Sequence, residues 1–225
     1  MFRYFIDFEK NYSVKNDSFS EICPTLLLGT LSEVRDTHLD GDFYLGNYSS
    51  INRCKIKSGS AVGVNTYLSD TDLEKYGSIG SRVSIGGFEH PLNWLSFHSF
   101  QWNQKIEHWE ISNNLRTNFE SKPIPKRNFI GPDVWIGNNA VVLSGVRVET
   151  GSVVGASSVV TKNTLPYSIN VGNPSRIIGY RFEQKIINQL LELKWWDLEF
   201  AKIAMLNFKN IEVAISQITK IRSEI

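Results

Sequence analysis

Four histidines, His38, His90, His98 and His108, are the side chains of this protein best suited to move a proton at neutral pH, because an imidazole titrates near neutrality. Two of them stand close together in "GGFEHPLNWLSFHSFQWN", with His98 eight residues after His90. Trp94 and Trp102 flank them and offer flat apolar faces that suit sugars and drugs alike. The chemistry such a set could perform is general-base catalysis. Glu89 adjoins His90, but adjacent side chains on an extended chain point apart. Another carboxylate or a carbonyl must therefore orient the imidazole. His38 and His108 read as surface residues.

The elements that hold these residues follow an unusual period. In "IGPDVWIGNNAVVLSGVRVETGSVVGASSVV" an aliphatic residue returns at every sixth position, at Ile130, Ile136, Val142, Val148, Val154 and Val160. A helix repeats at 3.6 and a strand at 2. A period of six fits a short strand followed by a tight corner. Three such sides close a triangular coil of about eighteen residues, and stacked coils pair their strands in parallel at roughly 4.8 Å. The inward aliphatics then stack into one continuous core. The same pattern opens at Leu45 and Ile51, slips by one residue, continues through Ile56, Val62 and Leu68, and returns at Ile79 and Ile85. His90 comes just after Ile85-Gly86-Gly87, where the coil pattern stops until Ile130. A structureless loop of that length inside a compact domain is usually functional.

The spacing predicts an all-β fold, a parallel β-helix with an excursion loop and a small α-helical tail. Its parts are an N-terminal segment of residues 1–44, irregular or a partial coil; a coil of residues 45–173 with the excursion at 88–128; and an exit loop with C-terminal helices at 174–225. Phe182, Ile186, Leu190 and Leu193 share helical spacing, as do Ile187, Leu191 and Trp195. "FEQKIINQLLELKWWDLEF" is therefore read as one amphipathic helix, with weaker helical patterns through 203–206 and 211–221.

Composition narrows the partners. A formal net charge of +1 gives no electrostatic case for nucleic acid or an anionic membrane. No apolar run is long enough to span a bilayer. The first residues, "MFRYFIDFEKNYSV", carry Asp7 and Glu9 where a signal peptide would be uninterrupted and apolar. Two cysteines, Cys23 and Cys54, do not make a disulfide framework. The expectation is a soluble, cytoplasmic protein.

The hexads, "HPLNWLSFHSFQWN", "DVWIGNNAVVLSGV", "VVGASSVVTKN", "VGNPSRIIGYRF" and "LLELKWWDL" occur in that order. Together they resemble the hexapeptide-repeat xenobiotic acetyltransferase family, the group containing chloramphenicol and streptogramin acetyltransferases. The resemblance runs from about Leu45 to Leu198. It implies a left-handed β-helix, a homotrimer, acetyl-CoA as donor, no metal, and acetylation of a hydroxyl or amine on a small acceptor. Antibiotic-inactivating members typically follow their catalytic histidine with a different, Thr- or Pro-containing segment. "HPLNWLSFHSF" is closer to relatives found with surface-sugar biosynthesis, so a carbohydrate acceptor leads and an antibiotic acceptor is the alternative.

Carried over residue by residue, the resemblance makes His90 the catalytic base. It places Trp135, which points outward from the residue before a hexad start, beside the active-site groove, with a trimer-packing or surface Trp as the plain alternative; His98 and Trp94, in the excursion itself, are candidates to border the acceptor, and packing is the alternative for His98. The resemblance assigns acetyl-CoA to Gly137, Gly155, Ala156, Ser157, Thr161 and Lys162, then to Asn173 and Arg176 in the exit loop. Lys162 and Arg176 are the candidates for the phosphates; a solvated cation is the plain alternative for each. From other classes come a γ-type carbonic anhydrase and a non-catalytic assembly coil on the same fold. The first needs histidines on adjacent coils, whereas His90, His98 and His108 share one non-hexad stretch. The second needs no histidine at a coil exit.

Overall fold

A computed structural model describes residues 26–98 and 124–224 of the 225-residue chain. Strands of two or three residues follow one another at corners and build the stack coil by coil. β1 (Leu26–Leu28), β2 (Glu33–Arg35) and β3 (His38–Asp40) form the first coil. β4 (Phe43–Leu45), β5 (Ser50–Asn52) and β6 (Lys55–Lys57) form the second; β7 (Ser60–Val62), β8 (Tyr67–Ser69) and β9 (Thr71–Leu73) the third. β10 (Ser78–Ile79) and β11 (Ser84–Ile85) begin the fourth, which β12 (Asn128–Ile130) completes after the excursion. β13 (Trp135–Ile136), β14 (Val141–Val142) and β15 (Arg147–Val148) form the fifth, and β16 (Val153–Val154) and β17 (Val159–Val160) start the last. β18 (Ser168–Gly172) and β19 (Ser175–Tyr180) close the stack as an antiparallel hairpin.

Like strands of successive coils pair in parallel and make three faces. The first runs β1-β4-β7-β10-β13-β16-β18-β19, the second joins β2, β5, β8, β11, β14 and β17, and the third joins β3, β6, β9, β12 and β15. This is the left-handed parallel β-helix that the hexads imply. Its centre is a column of buried aliphatics that includes Leu45, Ile51, Ile56, Val62, Leu68, Leu73, Ile85, Ile130, Ile136, Val142, Val148, Val154 and Val160.

The coil starts earlier than its hexads. The expected boundary at 44/45 falls inside β4, and β1 already pairs with it, Leu26 with Phe43 and Leu28 with Leu45. The early coils repeat at seventeen residues, not eighteen. Each has one five-residue side, Val34 to Leu39, Ile51 to Ile56 and Leu68 to Leu73. Asp36, Arg53 and Asp70 turn these short corners with φ of 46°, 55° and 50°, the left-handed conformation that residues such as Tyr48, Asn65 and Asn139 also adopt at the longer corners. The later coils, as from Trp135 to Val153, repeat at eighteen.

The excursion is inserted at this same second edge, between the second and third faces. Gly86 still donates to Val142 O at 3.0 Å. A Cβ on it would lie 2.2 Å from Ser69 O, and its φ is +77°, so only glycine fits. After Gly87 the chain departs, and it rejoins at Asn128, whose N–H donates to Asp70 O at 2.8 Å. Asn128 is buried. Its amide donates to Leu143 O at 2.7 Å and its oxygen accepts from Gly145 N. The side chain thus replaces the backbone bonds that the interrupted corner would have made.

The tail covers the third edge. α1 (Gln184–Leu193) stops at Lys194, which has φ 44°, so the expected helix does not run on through "KWWDLEF". Arg222 donates to Leu193 O at 3.0 Å and to Lys194 O at 2.9 Å, satisfying carbonyls that the helix end leaves open. The break lets Trp195 stack on Tyr76 of the coil, ring centroids 5.4 Å apart. Lys75 pairs with Asp197 at 3.4 Å and Arg181 with Asp133 at 2.8 Å. α2 (Phe200–Ile203) and α3 (Ile211–Ser223) follow, α3 capped by Asn210 Oδ1 accepting from the N–H groups of Glu212 and Val213. No helix among the described residues is long and apolar enough to cross a membrane.

Candidate active site

His90 lies near the start of the excursion, just before a turn at 92–93, and is exposed. Its Nδ1 is 2.7 Å from the carbonyl oxygen of Phe97. A carbonyl can only accept, so Nδ1 carries the proton and Nε2 of the neutral ring carries the lone pair. The orienting group that sequence could not name is therefore a backbone carbonyl. Glu89, beside it, instead reaches Lys126 on the returning leg at 3.4 Å. Trp94 is half-buried, and His98 is exposed with its N–H donating to Ser96 Oγ at 3.1 Å. His38 is exposed on β3. Trp102, His108 and Cys23 lie outside the described residues.

The other candidates fall into two groups. Thr161 and Lys162 are exposed on the second edge, the one from which His90's excursion departs. Gly137, Gly155, Ala156 and Ser157 turn the first edge, between the first and second faces. The β18–β19 hairpin projects over this first edge, since Gly172 N–H donates to Ser158 Oγ at 3.0 Å. Asn173 and Arg176, both exposed, sit at its tip. Trp135 is 57% exposed on the first face. Within one chain, the structure thus sets Trp135 and the first-edge residues on a different side of the prism from His90.

Glycine at 137 and 155 answers first to stacking. A Cβ on Gly137 would lie 2.6 Å from Ala156 N of the next coil, and one on Gly155 would lie 2.2 Å from Val171 Cγ1. Ala156 and Ser157 are the exposed members of this corner.

Beneath the excursion lies a charged cluster that the sequence reading missed. Arg53 Nε donates to Asp70 Oδ1 at 2.7 Å and its Nη2 to Asp70 Oδ2 at 2.6 Å. Burial alone would raise the Asp70 carboxyl, but the Arg53 and Ser69 hydrogen bonds outweigh it and hold the group below its ordinary range. Arg127, on the returning leg, pairs with Asp72 and donates to Arg53 O at 3.1 Å. The available signal was the spacing of seventeen between Arg53 and Asp70, one early coil. Among the described residues, no three His, Cys, Asp or Glu side chains gather as a metal site.

Comparison with known proteins agrees with this architecture. Residues 129–162 match the family described as "Bacterial transferase hexapeptide (six repeats)". A probable macrolide acetyltransferase of Lysinibacillus sphaericus is 37% identical over 138 residues, which cover 61% of this chain and 72% of that protein. Chloramphenicol acetyltransferases of Escherichia coli and Klebsiella aerogenes are 44% and 36% identical over 132 and 127 residues, covering 57% and 56% of this chain. The match spans only 60% and 58% of their own lengths. A variant of the N-acyltransferase AntD from Bacillus cereus, solved with dTDP and coenzyme A, has the same fold at a TM-score of 0.55 and 17% identity, over 83% of this chain and 98% of that one. The chain belongs to the hexapeptide-repeat acetyltransferases, in the group that includes the xenobiotic-modifying members.

Proposed function

We propose that the protein transfers an acetyl group from acetyl-CoA to a hydroxyl or amine of a carbohydrate acceptor, such as a surface-polysaccharide sugar or a sugar nucleotide, with His90 as general base. The observation that carries the reading is the Nδ1–Phe97 contact, which leaves Nε2 as the proton acceptor. Nε2 takes the acceptor's proton as its oxygen or nitrogen attacks the thioester carbonyl. The tetrahedral intermediate collapses, the C–S bond breaks, and the imidazolium returns the proton to the departing thiolate. Transfer is direct. Cys54 is buried, and burial pushes its thiol up to about 11, so it supplies little thiolate at neutral pH.

The working unit is a homotrimer. His90, Thr161 and Lys162 share the second edge of one chain, while Ala156, Ser157, Asn173, Arg176 and Trp135 belong to the first edge and first face. One groove gathers both sets when the second edge of one subunit meets the first edge of the next around a threefold axis. Lys162 and Arg176 then hold the coenzyme A phosphates, and His98, Trp94 and Trp135 border the acceptor.

A second acceptor class has its own support. The chloramphenicol and macrolide acetyltransferases named above share 36–44% of the compared residues, which favours an antibiotic hydroxyl. Coenzyme A thiol release, measured with a panel of amino sugars, sugar nucleotides, chloramphenicol and macrolides, tests both. Turnover on the antibiotics alone overturns the carbohydrate reading, and no release with any acceptor overturns the activity.

A further inference from the structure

Both legs of the excursion are seated on one residue of the second coil, two coils below the one they interrupt. Arg53 turns the second edge with a left-handed backbone, φ 55°. Its guanidinium is locked in plane by both carboxylate oxygens of Asp70 and by Ser69 Oγ, the latter at 3.0 Å. Ser69 in turn donates to Asp70 Oδ2 at 2.7 Å, which closes the network. Asp70 is only 6% exposed, so this is not a solvated surface pair. Over the guanidinium lies the ring of Phe88, 5.6 Å from centroid to Cζ, on the departing leg two residues before His90. Under it, the Arg53 carbonyl accepts from Arg127 on the returning leg. The next residue, Asn128, donates to the carbonyl of Asp70.

We infer that Arg53 is a positioning residue for His90: it fixes the departing leg through Phe88 and the returning leg through Arg127, so that the imidazole meets the Phe97 carbonyl at a constant place. The inference rests on the reading of His90 as the base. The fork explains the choice of arginine. A lysine would keep the charge, but it could not bond both carboxylate oxygens in one plane while offering a flat face to Phe88.

The test is Arg53→Ala and Phe88→Ala in the full-length protein, with Phe88→Tyr as the conservative control. Histidine is labelled with nitrogen-15, and the His90 signals are assigned by their absence from His90→Ala. Wild type and Phe88→Tyr should show the Nδ1–H tautomer. Both alanine variants should move toward the Nε2–H mixture of free imidazole. Turnover in those variants should fall roughly 10–100-fold with the KM for acetyl-CoA unchanged. In a His90→Ala background the Arg53 change should cost nothing further. Wild-type His90 signals in both alanine variants overturn the inference, whatever the activity. If Arg53→Ala does not fold, Phe88→Ala decides alone, because it leaves the coil untouched. If wild type acetylates nothing yet the signals still move, the positioning stands and the acetyl-transfer reading falls.

Discussion

Asp70 takes Arg53 with both carboxylate oxygens, 2.7 and 2.6 Å from the two guanidinium nitrogens, one coil apart on the same edge. The pair makes stability depend on acid in a defined direction. The folded carboxyl titrates below its ordinary value of 3.8, so its contribution is complete above that pH and is lost as pH falls through and below it. Asp70→Asn should cost about 1–2 kcal/mol at pH 7, because Arg53 keeps part of its surface in water. Denaturant unfolding at pH 7 and pH 3 checks this: the gap between the two proteins should narrow at the lower pH.

His90→Ala should lose about 10²–10⁴-fold in turnover while binding acetyl-CoA and melting as wild type does, since the side chain is exposed and outside the aliphatic column. His98→Ala should cost less and act on the KM of the acceptor. Steady-state kinetics with the identified acceptor separate the two. Loss of all turnover in His98→Ala with none in His90→Ala would reverse the assignment.

Lys162→Ala and Arg176→Ala should each raise the KM for acetyl-CoA with little change in turnover, because phosphate contacts are made equally in ground and transition states. The two residues are on different edges of one chain. The affinity for coenzyme A, measured by calorimetric titration of each single variant, should weaken by roughly five- to tenfold if each supplies one charge-assisted contact of about 1–1.4 kcal/mol. Unchanged affinity in either removes that residue from the site.

Light scattering at micromolar concentration should give three times the 25.6 kDa chain mass. Trp135→Glu places a charge on an exposed apolar position of the first face and should shift the protein toward monomer and abolish turnover together. A monomer that retains full activity would refute the shared groove.

Much of the coil was legible because inward residues must be aliphatic at every side, and Ile130 to Val160 obey this without a slip. The first coil was not. It shares the one-residue slip of the second and third coils, but its inward Leu28 and Val34 are only partly buried, so it adds little to the aliphatic column that carries the pattern. The tail helix was legible up to Leu193. Its end was not, because Arg222, which closes it, lies 28 residues beyond Lys194. At the site, histidine chemistry offered four candidates and the family resemblance selected His90 among them, but a carbonyl partner such as that of Phe97 has no letter in the sequence. Arg53 and Asp70 became neighbours only once the coil length was known to be seventeen.

The excursion leaves at Gly86 and returns at Asn128, both on the second edge of the same coil. Its ends are pinned side by side by bonds that belong to the scaffold. Chain between two fixed, adjacent points pays little for extra length, about 0.6 kcal/mol for each doubling. The coil registers above and below do not sense what lies between them. The segment therefore behaves as an exchangeable cassette: the rungs that carry Thr161, Lys162 and the hairpin tip can stay unchanged while the inserted text is lengthened, shortened or rewritten. Under the proposed acetyl-transfer reading, exchanging the insert alone should change the acceptor while the prism keeps its register.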